Sequence, residues 1–120
     1  MPDKTLDFTE YQQLAHGTAL PIDGTLLTAH QIYASLGLSN EAGEVVGLIK
    51  KALRGDYGQN PAESTEFKNK LNGEVGDVLW YLSELSTQFN LNLEFIAIAN
   101  LEKLKSRQNR GVLQGDGGDR

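Results

Sequence analysis

The sequence contains no cysteine, and only three prolines and one tryptophan among its 120 residues. A chain without cysteine forms no disulfides, thiolate-bound zinc sites or iron–sulfur clusters. Basic residues are also scarce, 11 against 16 acidic ones, and the net charge of −5 argues against binding a nucleic-acid polymer, which needs a basic face. No apolar run approaches the roughly 20 residues of a membrane span, and the polar N-terminal stretch lacks the apolar region of a signal peptide. We therefore expect a cytoplasmic protein that does not enter membranes.

The apolar residues follow helical spacing, and no segment shows the alternation of a strand. The spacing predicts a short helix at residues 7–17, a second helix from about residue 25 with an interruption around residues 37–40, a third from residues 62–66, and a fourth that is capped by Asn92 and runs to about residue 107. We expect one all-α domain, a four-helix-type bundle over residues 1–110, followed by a flexible glycine-rich tail at 111–120. A bundle of this size is marginal as a monomer, so we expect oligomerisation to complete it.

The second and third helices are predicted to present polar stripes beside their apolar ones. On the second helix we expect the apolar stripe to point inward, and it comprises Ala42, Val45, Val46, Ile49 and Leu53. Its neighbouring stripe carries Glu41, Glu44, Leu48 and Lys51. On the third helix, Glu74, Asp77 and Tyr81 lie directly beside the apolar seam. This places carboxylates at the edge of the core.

Two short segments repeat one acidic pattern, EAGE at residues 41–44 and EVGD at residues 74–77. Each carries two carboxylates three residues apart, which lie on the same face of a helix. If the two helices pack antiparallel, all four carboxylates converge, and they must be neutralised by protons or by a cation. An all-oxygen donor set favours Mg²⁺ or Mn²⁺. The pattern therefore predicts a divalent metal site.

Other interpretations of the acidic pattern are a solvated surface and a di-iron bundle. Glycine inside a helix costs about 1 kcal/mol relative to alanine, so Gly43 and Gly76 indicate close helix approach or room for a metal and its ligand. A di-iron bundle uses Glu-x-x-His on two helices. Neither His16 nor His30 follows a glutamate by three residues. We expect His30 to be a packing residue.

Three blocks of the chain resemble the MazG-like family of all-α nucleoside triphosphate pyrophosphohydrolases. They are GLSNEAGEV at 37–45, EVGDVLWYL at 74–82 and NLEKLKSR at 100–107, and the resemblance extends over residues 29–109. The ending RGVLQG at 110–115 is most similar to the compact forms found in phages and some bacteria. The resemblance implies cleavage of a nucleoside triphosphate between its α and β phosphates. It also implies a homodimer or homotetramer, in the host cytoplasm if the gene is phage-borne.

The resemblance further implies that two or more Mg²⁺ or Mn²⁺ ions are bound by Glu41, Glu44, Glu74 and Asp77. Glu41 is our candidate for the general base. Phosphoryl transfer depends on positioning and charge, so cations should flank the metal ions. Lys51 is the first candidate because it lies two turns after Glu44 on the same face.

The remaining candidates for substrate binding lie on the third and fourth helices. Tyr81, one turn after Asp77, could bind a phosphate, a sugar or a metal-bound water, whereas Trp80 is expected in the core or a subunit interface. A polar stripe on the fourth helix meets the triphosphate by resemblance, or is a solvated helix end, and comprises Asn100, Lys103 and Arg107.

The leading substrates are dGTP and GTP, which some phage relatives of this family prefer. Substrates that stay open are dCTP, dUTP and other phosphorylated nucleotides on the same scaffold. A non-catalytic helical interaction protein is the alternative of a different class. The glycine-rich tail is expected either to be disordered or to close over the substrate with Arg110 or Arg120 near phosphate.

Overall fold

The computed structural model describes residues 5–115, and all regular structure in that range is helical. The helices are α1 Phe8–His16, α2 Ala29–Leu53, α3 Thr65–Gln88 and α4 Leu93–Asn109, with one 3-10 turn at Pro61–Glu63 before α3. The lack of strands among these residues confirms the predicted all-α class. The glycine-rich tail beyond residue 115, with Arg120, lies outside the described range. No helix within residues 5–115 is both long enough and apolar enough to cross a membrane.

Each α-helix begins after a residue whose side-chain oxygen accepts a hydrogen bond from a backbone N–H three residues later. The capping residues and their oxygen-to-nitrogen distances are Asp7 at 2.7 Å, Thr28 at 3.1 Å, Ser64 at 3.2 Å and Asn92 at 3.0 Å. Thr28 also donates its own N–H to the Gln31 side chain at 2.9 Å, which completes a capping box. Each cap contributes about 1 kcal/mol, and the cap predicted at Asn92 is confirmed.

Three of the helices end in the same backbone motif. The residue after each C-cap adopts positive φ, and these residues are Gly55, Asn90 and Gly111, with φ of 94°, 56° and 70°. The next residue's N–H then bonds to a carbonyl in the last helical turn, for example Val112 to Arg107 at 2.9 Å. This Schellman arrangement satisfies carbonyls that the helix leaves unpaired, and glycine and asparagine adopt it at little steric cost. Turn residues therefore fix where α2, α3 and α4 stop.

Two predictions about the second helix are wrong. α2 begins at Ala29, because the backbone N–H and hydroxyl of Thr25 both donate to the Asp23 carboxylate, at 2.9 and 2.6 Å, and hold Thr25 in a turn. The helix also continues through residues 37–40 without interruption. A single glycine costs a helix about 1 kcal/mol, and the tertiary contact of Gly37 with Tyr81 offers a reason for its presence.

α2 and α3 pack against each other and run antiparallel. Near one end of the pair, the Gln31 side chain donates to the carbonyl of Gln88 at 3.2 Å. Near the other end, the rings of Tyr57 and Phe67 lie 5.3 Å apart. Because residue numbers rise along α2 as they fall along α3, the acidic segments at 41–44 and 74–77 meet halfway. The antiparallel packing on which the predicted convergence of the carboxylates depends is therefore present.

The stripe of α2 that carries the carboxylates faces α3, and this reverses the predicted orientation. Within the described chain the buried apolar side chains are Ala34, Leu48 and Phe67. Leu48 belongs to the stripe of Glu41, whereas Val46 and Leu53, which were expected inward, are 67% and 83% exposed. The prediction was wrong because it assumed that the most apolar face finds its partner inside the same chain. In the single chain this face is left uncovered.

The first and fourth helices add little to the core. α4 packs against α3 but buries none of its side chains, and α1 also buries none. Phe8 on α1 is 90% exposed. The radius of gyration is 21.2 Å, against about 14 Å expected for a compact domain of this length. The four helices of one chain therefore form an open arrangement with large apolar surfaces in contact with water.

Candidate metal and nucleotide site

Three carboxylates converge where α2 and α3 cross at their middle. Glu41 comes from α2, and Glu74 and Asp77 come from α3, three residues apart and thus on one face of the helix. Each of the three can offer an oxygen such that all three oxygens lie within 4.8 Å of one another. Glu41 and Glu74 are half-buried, and Asp77 is exposed. A single ion could therefore contact all three side chains.

Glu44, the fourth predicted ligand, lies one turn further along α2 and is not part of this group of three. It is exposed and lines a cavity together with Glu74 and Asp77. Its charge still acts on Glu41. The structure therefore brings three of the four predicted ligands into direct proximity, and Glu44 lies at the edge of that group.

The electrostatics of Glu41 reflect the crowding of negative charge. Partial burial raises the pKa of this carboxyl above the ordinary glutamate value of 4.5, and the charge of Asp77 adds to the effect. The charges of Glu74 and Glu44 raise it further, as does a hydrogen bond between Glu41 and Glu74. Glu41 therefore retains a proton more readily than an isolated glutamate does, and a cation would compete for the same oxygens.

The donor set fits a hard divalent cation. Carboxylate oxygens are the ligands that Mg²⁺ and Mn²⁺ prefer. Among the described residues, the group of three contains no histidine. His30 is exposed at the start of α2, and His16 lines a separate cavity on α1 with Thr9 and Gln12. The residues that a di-iron site would require are thus absent from the described group, and His30 is not a buried packing residue in the single chain.

A cavity of about 400 Å³ opens on one side of the carboxylates. We call it the aromatic cavity, and it is lined by Glu41, Asp77, Trp80 and Tyr81. The ring of Trp80 meets the ring of Tyr81 edge-on, with centroids 4.9 Å apart. Trp80 is 57% exposed and therefore is not a core residue of the single chain. Tyr81, a predicted substrate-binding residue, lies beside two of the candidate metal ligands.

A second cavity, of about 350 Å³, opens on the Glu44 side of the carboxylates. We call it the lysine cavity, and it is lined by Glu44, Leu48, Lys51, Tyr57, Asn69, Lys70, Gly73, Glu74 and Asp77. Lys51 is the residue that the sequence predicted as a phosphate-binding cation. The ammonium of Lys70 lies 5.4 Å above the Tyr57 ring and 3.5 Å from its hydroxyl. Lys70 also pairs with Glu66 at 3.4 Å. Two cations therefore flank the acidic group.

Sequence reasoning missed Tyr57, Asn69 and Lys70. Lys70 lies four residues before Glu74, and that helical spacing could have indicated a shared face. Tyr57 lies in the loop between α2 and α3, and its position depends on contact with Phe67. No local sequence pattern encodes that contact.

The predicted α4 stripe stays apart from the acidic group within one chain. Neither cavity is lined by a described residue of α4, so Asn100, Lys103 and Arg107 are not brought to the carboxylates. Arg107 is half-buried near the end of α4, where its carbonyl accepts the N–H of Val112. The expected role of this stripe in binding the triphosphate remains a prediction.

The glycines of the two acidic segments have open space around them. A Cβ atom added at Gly43 or Gly76 would meet no other atom within 4 Å. Close approach of helices within one chain therefore does not explain these two glycines. Room for a metal and its ligand at these two glycines remains a prediction.

Comparison with known proteins assigns the chain to a family. The model of the MazG nucleotide pyrophosphohydrolase domain matches residues 30–112, which include both acidic segments and the α4 stripe. The Gene 37 protein of Mycobacterium phage L5 is 41% identical over 88 residues, which cover 73% of this chain and 75% of the phage protein. No solved structure gives a significant match. The chain thus belongs to the MazG nucleotide pyrophosphohydrolase family, as its three sequence blocks had indicated.

Proposed function

We propose that the protein is a metal-dependent nucleoside triphosphate pyrophosphohydrolase, which converts a triphosphate and water into a monophosphate and pyrophosphate. The observation that carries this proposal is the convergence of Glu41, Glu74 and Asp77 within 4.8 Å, in a chain of this family. These residues, with Glu44, would hold two or more Mg²⁺ or Mn²⁺ ions. When bound, such ions activate water and neutralise charge on the phosphates.

The chain's own side chains supply positioning and charge around the carboxylates. Lys51 and Lys70 line the lysine cavity and offer ammonium groups to phosphate oxygens. The Tyr81 hydroxyl, in the aromatic cavity, can donate to a phosphate or sugar oxygen. Glu41 is half-buried and lines the aromatic cavity beside Asp77 and Tyr81, and a carboxylate in such a position can accept a proton from water during the reaction. We therefore keep Glu41 as the candidate general base.

The first experiment measures hydrolysis of all eight ribo- and deoxyribonucleoside triphosphates with Mg²⁺, with Mn²⁺ and with EDTA. The expected result is metal-dependent release of monophosphate and pyrophosphate, with dGTP or GTP fastest because the chain resembles compact phage forms. Release of diphosphate and phosphate would show that another bond is cleaved. If none of the eight nucleotides is hydrolysed, by either the natural protein or the Glu74→Gln variant, the result would favour the non-catalytic interaction protein.

We also propose that copies of the chain associate and cover the apolar face of α2. This face carries Val46, Ile49 and Leu53, which are 67%, 42% and 83% exposed. Water contact of three large side chains on one helix face is unfavourable by about 25 cal/mol per Å² of apolar surface. Analytical ultracentrifugation should show a dimer or tetramer. Val46→Glu should weaken the assembly, whereas Leu20→Glu, in the loop before α2, should leave it unchanged.

A further inference from the structure

Gly37 occupies a unique position among the described helix glycines. A Cβ atom at Gly37 would lie 2.0 Å from Cε1 and 2.4 Å from both Cδ1 and Cζ of Tyr81. In contrast, a Cβ atom at Gly47, on the same helix, would meet nothing within 4 Å. Non-bonded carbon atoms pack at about 3.5–4.0 Å. The ring of Tyr81 therefore lies against the bare backbone of α2, in space that any other residue at position 37 would fill.

Tyr33, one turn before Gly37 on α2, also contacts Tyr81. The two ring centroids lie 6.3 Å apart with the planes tilted by 51°. Interaction with the Tyr33 hydroxyl, followed by burial, raises the pKa of Tyr81 above its ordinary value, and the nearby carboxylates add to the shift. Tyr81 thus remains a neutral hydrogen-bond donor. Tyr33 is 63% exposed, so burial in the core does not account for its position.

The two residues that contact Tyr81 lie on the same face of α2 as the acidic site. Tyr33, Gly37 and Glu41 are spaced four residues apart and share one face of α2, opposite Asp77 and Tyr81 on α3. Any movement of the Tyr81 ring along this line would change its distance from Glu41 and Asp77, which line the same cavity. A site works best when such side chains are fixed before the ligand arrives.

We propose that Gly37 and Tyr33 are positioning residues for Tyr81. Gly37 provides the space in which the ring rests, and Tyr33 fixes the direction of its hydroxyl, so that Tyr81 presents a donor beside the carboxylates. The consequence for catalysis depends on the proposed pyrophosphohydrolase activity. The placement of the Tyr81 ring does not depend on that activity, and it can be tested without any substrate.

The first test uses protein labelled with 3-fluorotyrosine and followed by ¹⁹F NMR. The chain has four tyrosines, and substitution of each by phenylalanine assigns the resonances. Gly37→Ala should shift the Tyr81 resonance and leave that of Tyr57 in place, because only the former ring is displaced. The matched control, Gly47→Ala, should shift neither and should raise the melting temperature by a few degrees. An unchanged Tyr81 resonance in folded Gly37→Ala protein would overturn the proposal.

The second test is kinetic and asks whether both residues act through Tyr81. Gly37→Ala should lower kcat/KM for the fastest nucleotide about 10- to 100-fold, since small displacements in a site have effects of this order. Tyr33→Phe, which keeps the ring and removes the hydroxyl, should lower it about fivefold, as expected for one hydrogen bond. In a Tyr81→Leu background neither change should have a further effect. Independent losses in that background would refute positioning through Tyr81.

The two tests separate failure of this inference from failure of the proposed function. If no nucleotide is hydrolysed, the NMR experiment still decides whether Gly37 and Tyr33 hold Tyr81. Tyr33→Phe serves as the second variant if Gly37→Ala does not fold, which circular dichroism will reveal. In that case the Tyr81 resonance must respond to loss of the Tyr33 hydroxyl, and an unchanged resonance would again overturn the inference.

Discussion

Replacement of Glu74 by glutamine should have opposite effects on stability in the absence and in the presence of metal. Without metal, removal of one negative charge from three carboxylates whose oxygens lie within 4.8 Å relieves repulsion. The variant should therefore melt at the same temperature as the natural protein in EDTA, or slightly above it. With Mn²⁺, the natural protein gains binding energy that the variant largely lacks. With Mn²⁺ the natural protein should therefore melt at a higher temperature than the variant.

The expected size of the metal effect follows from linkage. An ion at 100 times its dissociation constant stabilises the folded protein by about 2.7 kcal/mol. Unfolding entropy of about 2.1 cal/mol/K per residue amounts to about 0.25 kcal/mol/K for 120 residues, so the melting temperature should rise by about 11 °C. Loss of a ligand should weaken binding by at least the roughly 100-fold that loss of a ligand's supporting hydrogen bond can cost. The variant should then gain about 0.4 kcal/mol, or under 2 °C, at the same Mn²⁺ concentration.

The assay is thermal unfolding followed by circular dichroism, at one protein concentration, with EDTA or with increasing Mn²⁺. Glu94→Gln is the matched control, because Glu94 is an exposed carboxylate on α4 outside the acidic group. It should retain the full rise of the natural protein. An equal rise in Glu74→Gln, or none in the natural protein, would refute the metal site. A variant that melts lower under both conditions would indicate structural damage instead.

Other expected outcomes concern the pH dependence, the core and the lysine cavity. In EDTA the free energy of unfolding should fall as pH rises from 4.5 through the raised pKa of Glu41, because the folded chain holds the extra proton in that window; Glu41→Gln should flatten this slope in urea titrations. Phe67→Ala should lower the free energy of unfolding by about 3–5 kcal/mol, since Phe67 is 7% exposed, and a loss under 1 kcal/mol by urea denaturation would contradict its core role. Lys70→Met should raise KM and the inhibition constant of pyrophosphate roughly tenfold, with Lys68→Met, which lies outside the cavity lining, as a control that changes neither in product-inhibition kinetics.

Local signals made much of the fold predictable. Helical periodicity gave the all-α class, and the Asn92 cap marked the start of α4. The start of α2 was missed because Thr25 and Thr28 are both plausible caps, and the choice depends on side-chain bonds to Asp23 and Gln31. The sequence also assigned the apolar face of α2 to the interior. That inference fails in a chain whose apolar faces are not covered by its own helices.

The site was predictable to the extent that it depends on helix geometry. Carboxylates three residues apart lie on the same face of a helix, and antiparallel packing then brought Glu41 to Glu74 and Asp77, although it left Glu44 one turn away from them. Contacts between distant segments were not predictable in this way. The seating of Tyr81 on Gly37 and the contact of Tyr57 with Lys70 depend on how two helices and a loop come together.

If copies of the chain associate as proposed, the open arrangement of the four helices makes the lifetime of the protein depend on its concentration in the cell. With only three apolar side chains buried within the described chain, those of Ala34, Leu48 and Phe67, an isolated copy has little to resist unfolding and proteolysis. If partners supply the missing cover, the folded fraction depends on the number of copies in a cell as well as on temperature. Low expression would then shorten the lifetime of each molecule. A gene dose that is halved would lower activity by more than half.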